Sequence, residues 1–82
     1  MRETLTMAKY NGHRNWACWN VSLWIANDEG LYTFAREAIR RHRTRDEAAR
    51  SIVRDLADCG ITKTPDGANY SVSAVRAALS GL

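Results

Sequence analysis

The chain has 82 residues, of which 45% are hydrophobic and 26% charged, so its composition excludes disorder throughout and leaves room for one domain with a modest core. Its net charge of +3 is mild for an obligate nucleic-acid binder. No apolar run is long enough to cross a bilayer, and the first residues lack the hydrophobic stretch of a signal peptide, so we expect a cytoplasmic protein that does not enter membranes.

The N-terminal part divides into an arm and a helix. Residues 1–12 lack a helical repeat and end at the turn signal Asn11-Gly12. This pattern predicts an irregular N-terminal arm, for which disorder is one of the expected states. A single helical domain is predicted over residues 13–82. Its first helix runs from about Asn15, a good N-cap, to Ala26, where turn-forming residues follow.

This first helix is apolar on two sides. At about 100° per residue, one side contains Trp16, Trp19, Leu23 and Ala26. The other side contains Ala17, Val21, Trp24 and Ile25. A domain of this size is expected to bury one side and leave the other for a partner.

The second and third helices have clear boundaries in the sequence. The second is predicted from about Leu31 to Arg43 and is amphipathic. The third opens at Thr44, which forms a capping box with Glu47, and Gly60 follows its end as a natural C-terminal cap residue.

A loop and a short fourth helix complete the domain. The loop over residues 61–70 carries the turn signal Thr64-Pro65-Asp66-Gly67 and can hold at most a small hairpin. Ser71 or Ser73 caps the last helix. The elements together predict an all-α fold, a compact bundle of about four short helices with a helix-turn-helix-like C-terminal half.

The sequence contains no recognisable catalytic or metal-binding motif. His13 and His42 do not have metal-ligand spacing, and His42 is expected to be a half-buried residue at a helix end. Cys18 and Cys59 lack an identifiable base, so we expect both to be small buried hydrophobes. The sequence therefore predicts a protein that is not an enzyme and holds no metal or cofactor.

The segment from Trp16 to Trp24 carries all three tryptophans, more aromatic surface than a core of this size needs. One interpretation places two of them in the core and packs the third against the arm through Tyr10. A second leaves a docking patch exposed, because Trp and Tyr dominate interface hot spots, and a third stacks nucleic-acid bases on the rings. The residues predicted to bind a protein partner are Trp16, Trp19, Leu23, Trp24 and Tyr32.

Arginines are concentrated between residues 36 and 54, where seven of them accompany three acidic residues. Such a belt can contact DNA or RNA, steer the protein toward an acidic partner, or keep a helix junction solvated. The candidates for charge steering or nucleic-acid contact are Arg36, Arg40, Arg41, Arg43, Arg45 and Arg76.

The last third of the chain carries the stretch Leu56-Ala57-Asp58-Cys59-Gly60-Ile61-Thr62, the turn at 64–67, and then Tyr70-Ser71-Val72-Ser73-Ala74-Val75-Arg76. In this order it resembles the helix, hairpin-like loop and helix of the DNA-binding region of large serine recombinases. The resemblance implies that the last helix is related to a recognition helix, with Ser73 and Arg76 as groove or phosphate contacts. The recombinase catalytic domain is absent, and the last helix is short and carries one arginine.

A second resemblance covers the whole chain. It is carried by Tyr10-Asn11-Gly12, Trp16, Trp19-Asn20-Val21, Leu23-Trp24-Ile25, Asn27-Asp28-Glu29-Gly30-Leu31-Tyr32 and Thr64-Pro65-Asp66-Gly67. These segments resemble the QseM-like antiactivator family of integrative and conjugative elements. The resemblance implies a monomeric helical protein that binds a LuxR-type quorum-sensing activator and the activator of element excision, and so represses transfer of the element.

Two functions follow as hypotheses. In the first, the tryptophan patch captures an apolar surface of a transcriptional activator and the arginines steer toward acidic partners; a phage-type inhibitor of a host defence complex is a variant that the sequence does not separate from it. In the alternative, the protein is a small helix-turn-helix DNA-binding regulator, with the arginines between 40 and 45 on phosphates and Arg76 near bases.

Overall fold

The computed structural model describes residues 15–82, and the predicted arm over residues 1–12 lies outside them. The described chain forms helices α1 (Trp16–Asn27), α2 (Glu29–Arg41), α3 (Arg45–Asp58) and α4 (Val72–Leu79). Within this part of the chain there is no β-strand. The predicted all-α bundle of four short helices is therefore confirmed.

One residue, Asp28, connects α1 to α2. Its backbone N–H donates to the Trp24 carbonyl at 2.9 Å and closes α1, while its Oδ1 accepts from the Leu31 N–H at 3.0 Å and caps α2. Because Asp28 is the cap, α2 begins at Glu29. The helix also ends earlier than predicted, since His42 has extended backbone angles (φ −114°, ψ 150°). The prediction of Leu31 to Arg43 was therefore displaced by two residues at each end.

The ends of α3 follow the sequence prediction closely. Thr44 Oγ1 accepts from the Glu47 N–H at 3.1 Å, and the Glu47 carboxylate accepts in return from the N–H of Arg43 at 3.2 Å, one residue before the usual capping-box donor. At the other end Gly60 has a φ of 81°, and the Ile61 N–H donates to the Leu56 carbonyl at 2.8 Å. This closure is a Schellman motif.

The loop between α3 and α4 folds into a small hairpin. The Thr64 N–H donates to the Ala68 carbonyl, and the Thr64 carbonyl accepts from the Gly67 N–H. Gly67 has a φ of 96°, as expected for a turn followed by a left-handed residue. Lys63 and Asn69 form one antiparallel bridge. The predicted helix-turn-helix-like C-terminal half is thus a helix, a hairpin and a helix, longer than the three- or four-residue turn of a standard helix-turn-helix. Of the two predicted caps of α4, Ser71 is used.

The four helices pack in a cycle, in which α1 and α3 each contact both α2 and α4. The largest fully buried side chains in the core are Val21, Ile25, Ile52, Val75 and Leu79. Cys18 is buried as predicted, but the prediction for Cys59 was wrong, because this residue lies at the C-cap of α3 and is exposed. Among the helices of residues 15–82, none has the length and apolar character needed to cross a membrane.

Candidate protein-binding surface

Helix α1 buries one of its two apolar sides and exposes the other. Val21 and Ile25 are fully buried against the neighbouring helices. On the opposite side Trp16 and Leu23 retain 40% and 37% of their surface, and Trp19 between them is half-buried. Since these three residues follow the helical spacing i, i+3 and i+7, they form one stripe. We call Trp16, Trp19 and Leu23 the α1 face.

Trp24 points to a different neighbour. Its indole Nε1 donates to Asp66 Oδ2 at 2.9 Å, and the Asn20 side-chain amide donates to the same oxygen at 2.9 Å. Thr64 Oγ1 in turn donates to Asn20 Oδ1 at 2.6 Å. These contacts tie α1 to the turn of the hairpin. The structure therefore separates Trp24 from the α1 face and engages its indole N–H in a hydrogen bond with the hairpin.

The carboxylate of Asp66 is the acceptor on which this network converges. The hydrogen bond from Asn20, followed by that from Trp24, holds the pKa of Asp66 below its ordinary value of 3.8. A charged acceptor strengthens both hydrogen bonds. Asn20 is 2% exposed, so its amide depends on these partners rather than on water.

Tyr32, the remaining member of the predicted patch, lies on α2. It is 39% exposed, and the Arg36 guanidinium lies 5.8 Å from the centre of its ring. Arg36 also donates to the Tyr32 hydroxyl at 3.3 Å. A cation thus lies directly beside an exposed aromatic ring, an arrangement common at protein interfaces.

Most arginines of the belt already have a partner. Arg40 and Arg41 pair with Glu37, at 2.6 and 3.8 Å, and Arg50 pairs with Asp46 at 2.9 Å. The Arg50 contact lowers the pKa of Asp46 and raises that of the guanidinium.

Arg45, Arg43 and Arg76 complete the candidate set. Arg45 donates to the carbonyl of Leu79 at 3.2 Å and joins α3 to the end of α4. Arg43 forms no ion pair with any residue from 15 to 82. Arg76 is exposed on α4. Because the belt holds seven arginines against three acidic residues, and Glu37 serves both Arg40 and Arg41, these ion pairs compensate only part of its positive charge.

A groove lies between the start of α2, Trp24 and the hairpin, with a volume of about 550 Å³. Its apolar lining comes from Trp24, Leu31, Ile61, Pro65 and Tyr70, and Asp28 and Lys63 supply its charges. Sequence reasoning missed all of these except Trp24, because the groove forms only when hairpin residues that are distant in sequence come to lie beside the α1–α2 junction. The one available signal was Asn20, a lone amide in an apolar helix, which indicates a buried polar partner.

Over residues 15–82, the fold and the surface define a small four-helix bundle with an exposed aromatic helix face and a separate apolar groove. Residues 6–79 match DUF7249, a family of unknown function, and the chain belongs to this family. The chain matches no curated protein and no solved structure.

Proposed function

We propose that this protein is an antiactivator, a small binding module that captures transcriptional activators and thereby represses transfer of a mobile genetic element. The observation that carries the proposal is the α1 face, where Trp16, Trp19 and Leu23 form an aromatic stripe on a helix whose other side is already buried. Exposed apolar patches on small domains mark interaction surfaces, and aromatic anchors contribute most of the energy at such surfaces.

The charges of the protein support a partner with an acidic rim. Arg36 lies beside the exposed Tyr32 ring, and the chain carries a net charge of +3. Tyr32, which is exposed on α2, would form an outer member of the binding surface, whereas Trp24 lies outside it beside the hairpin. In this proposal the partners are a LuxR-type quorum-sensing activator and the excision activator named by the family resemblance. The protein acts in the cytoplasm as a monomer, without a catalytic centre or a cofactor.

The proposal is tested with a promoter reporter that responds to the LuxR-type activator of the same host. Wild type should repress the reporter and should copurify with the activator. Leu23→Glu should lose both properties, because a charge on the α1 face would be desolvated on binding. Ala57→Glu places the same charge on an exposed site of α3 and should behave like wild type.

Circular dichroism of each variant establishes that the helical fold is retained. Absence of a complex between the wild-type protein and either activator would overturn the proposal. Binding of the protein alone to the promoter duplex, with an affinity that falls steeply as salt rises, would instead favour the DNA-binding alternative.

A further inference from the structure

The groove beside the hairpin is a second surface, distinct from the α1 face. Its volume of about 550 Å³ lies within the range of about 300–1,000 Å³ that is usual for ligand pockets. Ile61 is 43% exposed at its edge, whereas the other leucines and isoleucines of residues 15–82, apart from Leu23, are buried or half-buried. The groove therefore presents apolar surface to solvent.

Hydrogen bonds fix each wall of this groove. Trp24 is held by Asp66, and Ile61 follows the Schellman closure of α3. The Tyr70 N–H donates to the Thr62 carbonyl at 3.0 Å, and Leu31 is held by the Asp28 cap. Walls fixed in this way do not collapse onto one another, so an occupant loses little free energy to reorganisation of the protein.

Two polar groups at the groove have no partner in the described part of the chain. Tyr70 is 5% exposed, yet its hydroxyl makes no hydrogen bond to any residue from 15 to 82. Lys63 forms no ion pair within the same range. A hydroxyl of a groove residue that has no protein partner is available to a hydrogen-bond acceptor from a ligand.

The charge of Asp28 influences which ligand groups can bind beside the Tyr70 hydroxyl and beside Lys63. Burial and then the negative charge of Asp28 raise the pKa of Tyr70, so its hydroxyl stays a neutral donor. The same charge repels a carboxylate from this end of the groove. Lys63 is the only cation among the groove residues. A neutral acceptor is thus favoured at Tyr70 and an anion at Lys63.

We infer that this groove binds a short acidic peptide segment of a partner protein, with a bulky apolar side chain between Trp24 and Ile61, a backbone carbonyl on the Tyr70 hydroxyl and an acidic side chain on Lys63. A peptide supplies all three chemical features within one short segment. The inference does not depend on the antiactivator proposal, because it uses residues outside the α1 face.

The test uses a short blocked peptide with one phenylalanine followed by two glutamates, added to ¹⁵N-labelled full-length protein. The three tryptophan indole N–H signals act as reporters, since one lies in the groove and two lie on the α1 face. The peptide should shift the signal of Trp24 and the backbone amides of Ile61 and Lys63. The signals of Trp16 and Trp19 should stay in place.

Two control peptides and three variants examine the individual contacts. Replacing the phenylalanine by serine should abolish binding, and replacing the glutamates by lysines should weaken it more than Lys63→Gln does, because the ion pair becomes a repulsion. Lys63→Gln should weaken binding about two- to fivefold, as for an exposed ion pair. Tyr70→Phe keeps the ring and should weaken binding about two- to tenfold through loss of one hydrogen bond. Leu23→Glu on the α1 face should bind the peptide like wild type.

Several results would overturn the inference. One is equal binding of the lysine peptide, and another is unchanged affinity in Tyr70→Phe. Shifts confined to Trp16 and Trp19 would place the peptide on the α1 face. Shifts of the groove signals that grow with protein concentration in the absence of peptide would identify a second copy of the chain as the occupant.

Discussion

At the scale of single residues, Asn20 is the polar residue on which the packing of α1 depends. Its amide is buried, donates to Asp66 and accepts from Thr64. Thr64 Oγ1 also accepts from the Ala68 N–H at 3.1 Å, so one hydroxyl serves both the helix and the hairpin. A buried amide or N–H that loses its partner costs about 1–3 kcal/mol. The position of the hairpin therefore rests on a few hydrogen bonds.

Removal of the Thr64 hydroxyl tests this dependence. Thr64→Val keeps the shape of the side chain but leaves Asn20 Oδ1 and the Ala68 N–H without their partner. We expect the free energy of unfolding, measured by urea denaturation, to fall by about 1–3 kcal/mol. Thr62→Val, at an exposed position of the same hairpin, should change it by less than about 0.5 kcal/mol. Equal stability of the two variants would contradict the role given to the network.

The carboxylate of Asp66 gives a prediction for the pH dependence of stability. Its pKa in the folded protein is lowered by the hydrogen bonds from Asn20 and Trp24. A carboxylate of this kind stabilises the fold fully above its unfolded pKa, and this stabilisation disappears as the pH falls through the lower, folded pKa. We expect the stability of wild type to decrease more steeply below pH 3.8 than that of Asp66→Asn.

Urea denaturation at a series of acidic pH values measures this difference. Asp58→Asn is the matched control, because it removes an exposed carboxylate that makes no hydrogen bond or ion pair to any residue from 15 to 82. It should retain the steep dependence of wild type. Parallel curves for wild type and Asp66→Asn would show that the Asp66 carboxylate does not stabilise the fold.

At the scale of helices and turns, the sequence predicted what local chemistry decides. The Thr44 side chain suits the N-cap of a helix, and the backbone freedom of Gly60 suits the position after its C-cap. Both residues lie where predicted at the ends of α3. The start of α2 was predicted two residues too late because local chemistry does not decide it: Asp28, Glu29 and Gly30 are all compatible with a helix start. The choice among them depends on Asp28 serving α1 and α2 together, which is a property of two helices.

The left-handed backbone at Gly60 makes this closure sensitive to substitution. Nothing lies within 4 Å of a Cβ built at Gly60, so a side chain would meet no steric obstacle and would cost only backbone strain. Gly60→Ala should lower the free energy of unfolding by about 1–2 kcal/mol. Gly60→Asn should lower it less, since Asn tolerates this conformation better.

Gly81→Ala provides the control for the glycine substitutions. Its Cβ would lie 3.6 Å from the Ala78 carbonyl oxygen, an ordinary contact, and its backbone is not left-handed. Thermal unfolding followed by circular dichroism should place Gly81→Ala close to wild type. If Gly60→Ala and Gly60→Asn are equally stable, the strain argument is wrong.

At the scale of the whole molecule, the candidate sites differ in how far the sequence predicts them. The α1 face lies on one helix, so the spacing of Trp16, Trp19 and Leu23 already groups these residues. Which side of α1 stays exposed is decided by α2, α4 and the hairpin, and periodicity carries no information about that choice. The groove joins Trp24 to Ile61 and Tyr70 only after the hairpin docks on α1, so no local pattern contains it.

The small size of the exposed α1 face predicts that the protein is a monomer at micromolar concentrations. A stable protein interface buries about 1,200–2,000 Å² and involves about 20–30 residues on each side. The α1 face belongs to a helix of 12 residues, and much of that helix is buried in the core or covered by the hairpin. Two copies meeting through this face alone would bury too little surface to compensate for the entropy lost on association.

Sedimentation equilibrium checks this prediction and should give a mass near 9.2 kDa for wild type and for Leu23→Glu. A mass that rises with concentration in wild type, but not in Leu23→Glu, would show that the α1 face binds a second copy. The face would then be occupied before any activator could reach it. A monomer keeps Trp16, Trp19 and Leu23 available, and a partner that contributes a larger or concave apolar surface can supply the buried area that a second copy lacks.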